Sequence, residues 1–174
     1  TLIAKLLDDN GYDIHLLTIG FQDSHDINFA KEVNKILKFK HDILEIEPES
    51  FQKVSEDVHD IIKTDNLSWN ENSIAFYYVL KWAKKLGIST VVTANGIDEL
   101  FCGYNAYREA IGVGVDEVMN VMNKKLDNEK KMMIAVNDVT SRFDVKILQP
   151  LLNDDFISYA KTIPISEKIT SSDD

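Results

Sequence analysis

Two adjacent carboxylates, Asp98 and Glu99, follow Gly96-Ile97 just downstream of the run Ile88-Ser89-Thr90-Val91-Val92-Thr93. A short run so rich in β-branched residues reads as a strand, which puts both acids at a strand's carboxyl end. A carboxylate that loses water there needs a cation or a hydrogen-bond donor. Leu100 and Phe101 supply apolar anchors for the loop, and Gly103 permits a tight turn before Tyr104. Two readings fit these residue types. Asp98 can hold a cation against an anionic ligand, or it can simply lie in the favourable dipole field of a helix start.

Other reactive side chains read as structural. Cys102 is the only cysteine, so no internal disulfide can form, and without a histidine nearby in sequence it reads as a small buried residue. His25, His41 and His59 lack metal-ligand spacing, and His15 lies inside an apolar run, where a packing or edge role is expected. Trp69, Trp82, Tyr77 and Tyr78 read as core and interface aromatics. Asp138 reads as a solvated helix position.

The elements that must position the loop alternate. Leu2 to Leu7 has the spacing of a buried helix face and stops at Asn10-Gly11. Ile14 to Ile19 reads as a strand ending at Gly20 and buried on both faces. Asp26 is the expected cap of a helix over Ile27 to Phe39, with Ile27, Ala30, Val33, Ile36 and Leu37 as its apolar stripe. A strand over His41 to Glu47, a helix from Ser50 to about Lys63 after Pro48, a loop over Thr64 to Asn70, and a helix from Asn72 to Leu86 follow. Beyond the loop come helical patterns over Tyr104 to Ile111, Val115 to Leu126 and Ile134 to Phe143. Strands separated by helices predict one α/β domain over 1–174, a doubly wound parallel sheet whose ligand lies beyond the strands' carboxyl ends.

Composition narrows the partners. A net charge of −10, from 19 basic against 29 acidic residues, repels a phosphate backbone, so nucleic acid is not expected. No apolar run approaches the ~20 residues that span a bilayer, so no membrane partner is expected and a cytoplasmic location is. Small polyphosphates stay compatible, because backbone N–H groups and a divalent cation can bind them.

The segment Gly96-Ile97-Asp98-Glu99-Leu100-Phe101-Cys102-Gly103-Tyr104 resembles the G-x-D-E-L-F-x-G-Y of the asparagine synthetase family, within the ATP pyrophosphatase (PP-loop) superfamily. Leu17-Thr18-Ile19-Gly20-Phe21 is similar to the family's second nucleotide-contact strand. Val145 to Asn153, ending Gln149-Pro150-Leu151-Leu152-Asn153, is similar to its v-x-x-x-x-P-F-L-D segment. The resemblance covers essentially the whole chain. It implies an adenine-nucleotide α-hydrolase-like fold with extra carboxy-terminal helices, in which the pyrophosphate-binding S-G-G-x-D-S would precede Thr1 and a phosphate-contacting lysine would follow Asp174.

It also implies an activity: adenylation of a small carboxylate by ATP with release of pyrophosphate, then attack by ammonia or another amine. ATP and Mg²⁺ would be the cofactors. Asp98 would be the Mg²⁺ carboxylate, with Glu99 a second catalytic or supporting acid. Backbone at Thr18, Ile19 and Gly20 would meet the adenine, and Asn95 and Gly96 would border the nucleotide. Ammonia could come free or from a separate glutaminase partner, and a homodimer is compatible.

The departures are specific. Thr93-Ala94-Asn95 stands where the family has S-G-acidic, so the usual base position holds an amide that does not take up a proton near neutral pH. Cys102 replaces a usual glycine, and Asn153 replaces an aspartate. The alternative is a catalytically reduced nucleotide-binding protein of the same fold with a sensing or scaffolding role. A third reading, adenylation of a carbonyl on RNA or a metabolite, sits poorly with the acidic charge where RNA is concerned.

Overall fold

A computed structural model of the chain describes residues 1–171. They fall into two compact units, Thr1–Ser89 with Ala135–Val145, and Thr90–Ile134 with the chain from Lys146 onward.

In the first unit β1 (His15–Gly20) and β2 (Lys40–Glu45) pair in parallel, from His15↔Lys40 to Gly20↔Glu45. Four helices accompany them: α1 (Leu2–Asp9), α2 (His25–Leu37), α3 (Pro48–Ile62) and α4 (Leu67–Lys85). Local chemistry sets their starts. Ser24, not Asp26, caps α2 by accepting from the Ile27 N–H. Pro48 opens α3 with its fixed φ. Asn66 caps α4 through the Trp69 N–H, so helix begins inside the segment expected to be loop. Val54, Val58, Ile74, Tyr78 and Val139 form the core, with Ile19, Leu44, Ile46 and Phe51 against it.

Two expectations about burial change here. Helix α1 buries none of its residues, and on α2 only Ile27 is buried while Ile36 is 82% exposed. Amphipathic spacing states which face is apolar, not what covers it. Strand β1 is half-buried throughout, as suits a strand with one hydrogen-bonded neighbour.

The second unit carries β3 (Thr90–Val92) and β4 (Lys146–Leu148), parallel in the register Thr90↔Lys146 to Val92↔Leu148. Its helices are α5 (Ile97–Leu100), α6 (Asn105–Val113), the larger part of α7 (Val115–Thr140) and α8 (Asp154–Thr162). Leu100, Tyr107 and Ala110 pack with Val118, Met122 and Leu126 of α7 and with Ile157 and Ala160 of α8. The spacing of 118, 122 and 126 places them on one face.

Parallel α/β pairing matches the expectation. The hydrogen bonds, however, make two separate two-stranded ladders, β1–β2 and β3–β4, among the described residues, not one continuous doubly wound sheet. Helix α7 is also unbroken where the sequence suggested two pieces. The polar stretch after Leu126 stays helical, with Lys131 reaching Asp127 one turn earlier at 2.7 Å.

Candidate functional site

Loop 93–104 is built out of the β3–β4 ladder. Thr93 extends it by one bond, its N–H donating to the Leu148 carbonyl at 3.0 Å. Asn95 follows, and then Gly96 at φ +100°, a left-handed conformation in which a side chain would also come 2.7 Å from Leu152 Cδ2. Glycine at 96 therefore has a packing reason of its own. It starts α5, a single turn in which Asp98 and Glu99 occupy the first-turn positions. Asp98 is not the cap and, against the expectation of a dehydrated acid, it is exposed, and its carboxylate accepts no hydrogen bond and joins no ion pair among the described residues.

The loop then folds back over Asp98. The Gly103 N–H donates to the Asp98 carbonyl at 2.9 Å, and a Cβ on Gly103 would lie only 2.2 Å from Asp98 Oδ1. Gly103 thus leaves the space that the carboxylate occupies. Cys102 just before it has φ +61°, the left-handed region that favours glycine, which accounts for glycine being the usual residue at this place in the resembled motif. Cys102 is half-buried, and burial pushes its thiol pKa up despite Lys168 nearby. A raised pKa leaves it a poor nucleophile.

Glu99, by contrast, is 4% exposed. Its Oε1 accepts from Tyr104 Oη at 2.6 Å, and its backbone carbonyl accepts from Tyr107 Oη at 2.6 Å. Burial raises both tyrosine pKa values far above the ordinary phenol range, and the Glu99 charge pushes further in the same direction. The two rings are stacked, and Lys125 Nζ lies 4.3 Å from the Tyr104 ring centre. Glu99 is therefore a structural anchor for the loop.

The sequence reading missed Glu129. It lies in the polar stretch of α7, yet it is 7% exposed, and its Oε1 accepts from Asn95 Nδ2 at 2.7 Å. Burial raises its carboxyl pKa, the Asn95 bond partly offsets this, and the negative charges of Glu99 and Asp98 raise it again. Only the four-residue spacing Val118, Met122, Leu126 could have hinted at it, since position 129 continues that buried face. Three carboxylates thus surround one loop without an ion-pair partner among the described residues, although no group of three metal-ligating side chains is gathered there.

The remaining expected site residues lie in the first unit. Thr18 Oγ1 is 2.9 Å from His41 Nε2, and burial lowers the His41 pKa, favouring neutral imidazole. Ile19 packs against the first unit's core, and the Gly20 carbonyl accepts from the Ile46 N–H at 2.8 Å. His15 Nε2 meets Asp42 Oδ2 at 3.0 Å, an edge pair and not a ligand set. In the second unit, Asn153 caps α8 through the Asp155 N–H at 2.8 Å, a role open equally to aspartate. Asp154 is paired with Lys130 at 2.8 Å on the surface.

The sequence pattern of the asparagine synthase family matches residues 1–134. The chain is 24% identical over 171 residues to an asparagine synthetase [glutamine-hydrolyzing] of Asparagus officinalis, covering 98% of this chain and 29% of that protein. It is 26% identical over 180 residues to asparagine synthetase [glutamine-hydrolyzing] 2 of Oryza sativa, covering 98% and 29%. Against asparagine synthetase [glutamine-hydrolyzing] 1 of Arabidopsis thaliana it is 25% identical over 160 residues, covering 91% and 27%. The chain thus spans about three-tenths of the length of these relatives. No helix among the described residues is long and apolar enough to cross a membrane.

Proposed function

The chain belongs to the asparagine synthase family, and on that premise we propose that it is part of an ATP-dependent amidoligase that adenylates a small carboxylate and passes the acyl group to ammonia or another amine. The observation that carries this reading is the state of Asp98: a carboxylate with no partner among the described residues, held in the space left by Gly103 at the end of a parallel strand.

Such a group fits a nucleotide-borne Mg²⁺. Mg²⁺ is usually held by one or two carboxylates plus substrate phosphates, so a lone unpaired acid suffices where no three-ligand cluster exists. When bound, the cation supplies compensation for the charge that builds on the departing pyrophosphate. The chain's own part is positional. Tyr104 and Tyr107 fix Glu99, Glu99 fixes the single turn of α5, and that turn sets the direction of Asp98. A substrate carboxylate oxygen then attacks the α-phosphorus as the bond to pyrophosphate breaks, and the amine displaces AMP from the acyl carbon.

The adenine contacts at Thr18, Ile19 and Gly20 and the nucleotide border at Asn95 and Gly96 belong to the same proposal, as does delivery of ammonia by a separate glutaminase partner. The competing reading, nucleotide binding without turnover, draws on the amide at Asn95. Calorimetric titration of the full-length protein with ATP, with and without Mg²⁺, separates the possibilities. Asp98→Asn should weaken binding only when Mg²⁺ is present. Equal Mg²⁺–ATP affinity in wild type and variant would remove Asp98 from the role, and Mg²⁺–ATP binding without carboxylate-dependent pyrophosphate release would favour the non-catalytic reading.

A further inference from the structure

Buried polar side-chain atoms are ordinarily hydrogen-bonded, so a covered atom without a partner needs a physical reason. Among the described residues Ser73 Oγ, Thr93 Oγ1 and Gln149 Nε2 are in this state. Ser73 stands alone on α4, whereas Thr93 and Gln149 directly follow β3 and β4. Resting on the function proposed above, we propose that Gln149, with the Thr93 hydroxyl beside it, is a specificity-determining residue for the acyl substrate. That substrate is then a carboxylate bearing a neutral oxygen-containing group, an amide or a hydroxyl, and not a second carboxylate.

Ladder geometry sets the two side by side. The pairs run from Thr90↔Lys146 to Val92↔Leu148, and the Thr93 N–H continues the pattern by donating to the Leu148 carbonyl at 3.0 Å. The next step of the register places Thr93 beside Gln149, at the strand spacing of about 4.8 Å. Faces alternate along a strand. Thr90, Val92, Lys146 and Leu148 are exposed, while Val91 and Ile147 are half-buried. Thr93 and Gln149 fall on that second face and are themselves half-buried. Both sit at the carboxyl end of a parallel pair, against the candidate site. Thr93 opens the loop that carries Asp98, and the chain just after Gln149 closes on the same loop, with Leu152 and the Leu151 carbonyl beside Gly96.

Neither group is committed to a partner. A glutamine amide nitrogen carries two donor hydrogens, and a threonine hydroxyl both donates and accepts, so one ligand oxygen can take a hydrogen from each. Turning either side chain towards a ligand breaks no hydrogen bond of these atoms. An oxygen on the ligand therefore regains what an unpaired donor forfeits, and an apolar group of the same shape does not.

Charge decides between a neutral group and a second carboxylate. Thr93 and Gln149 bring no positive charge, and Asp98, Glu99 and Glu129 around the same loop have no ion-pair partner among the described residues. A second substrate carboxylate would lose water beside like charges, with no cationic side chain in the pair to receive it. An amide or hydroxyl presents the same acceptor oxygen without that penalty.

The test uses the full-length protein and probe acids of matched shape: succinamate with a terminal amide, succinate with a terminal carboxylate, and isocaproate with a terminal isopropyl group. ATP–pyrophosphate exchange gives kcat/KM for each. Wild type should favour succinamate over isocaproate by roughly 5- to 150-fold, the span set by leaving a buried donor unpaired, and should favour it over succinate as well. Gln149→Met keeps the side chain's length and removes the amide, so the preference over isocaproate should collapse towards unity while the KM for ATP stays unchanged. Thr93→Val should lose part of the same preference, and it serves if Gln149→Met folds poorly. Equal exchange with every acid, a preference for succinate, or a change in Gln149→Met shared equally by all the acids would overturn the assignment and leave the amidoligase reading standing. Absence of exchange with every acid would instead remove support from the amidoligase reading, and NMR then decides the pair. The Gln149 side-chain amide signal, assigned by its loss in Gln149→Met, should move on titration with succinamate and hold still with isocaproate. A signal indifferent to both overturns the proposal independently of turnover.

Discussion

Removal of a single oxygen at Tyr104 measures how firmly the loop is held. In Tyr104→Phe the ring keeps its stacking on Tyr107 and most of its attraction for Lys125, while the 2.6 Å bond to Glu99 Oε1 disappears. A hydrogen bond to a charged group contributes roughly 1.5–3 kcal/mol net. Glu99 is 4% exposed and has no other side-chain bond among the described residues, so the middle of that range applies. About 2 kcal/mol corresponds to a fall of roughly 4–8 °C in Tm for a chain of this size. The control is Tyr107→Phe, which removes a neutral bond to the Glu99 carbonyl and should cost only about 0.5–1.5 kcal/mol. In a Glu99→Gln background the cost of Tyr104→Phe should drop to about 1 kcal/mol, because the charge is gone. Thermal and urea unfolding of wild type and the four variants provide the numbers. A cost below about 0.5 kcal/mol for Tyr104→Phe, or one unchanged by Glu99→Gln, would refute the view that a buried charge anchors the loop.

Gly103→Ala should destabilise by about 1–3 kcal/mol, since its Cβ would sit 2.2 Å from Asp98 Oδ1; an unchanged urea midpoint together with unchanged Mg²⁺–ATP affinity would show that the carboxylate does not need that space. Alkaline pH offers a second check. Tyr104 and Tyr107 have folded-state pKa values raised above the unfolded value of about 10, so their contribution is complete below that pH and is lost as pH rises beyond it. Stability should fall above about pH 10, less steeply in the Tyr104→Phe, Tyr107→Phe double variant, with two of the six tyrosines ionising only on unfolding; ionisation of all six ahead of unfolding would contradict it.

The legible parts of the sequence were those governed by local chemistry. The β-branched run before Thr93 and the glycine at 96 announced a strand and a turn, and Pro48 marked a helix start. The family motif singled out the loop from 96 to 104. What escaped depended on contacts between distant segments. Strand β4 is only three residues long, too short for alternation to register, and it exists because it pairs with β3. The continuity of α7 was hidden by its charged stretch, and with it Glu129, a residue type normally found in water. Helix α1 has the converse problem: its spacing announces an apolar face, but none of its residues is buried. One departure became legible only with backbone angles, since Cys102 occupies a left-handed position that sequence could mark as unusual without saying why.

Asp98, Glu99 and Glu129 also act at a distance, before anything touches them. Their field extends beyond the contacts described above, attenuated over about 10 Å at 0.1 M salt, and the chain's net charge of −10 has the same sign. Arrival at the loop is therefore sorted by charge. A bare polyanion is slowed, the same molecule carrying a divalent cation much less so, and a small cation is drawn in. Under the function proposed above, added salt should speed the association of uncomplexed nucleotide and slow that of a small cation, opposite trends from one set of carboxylates.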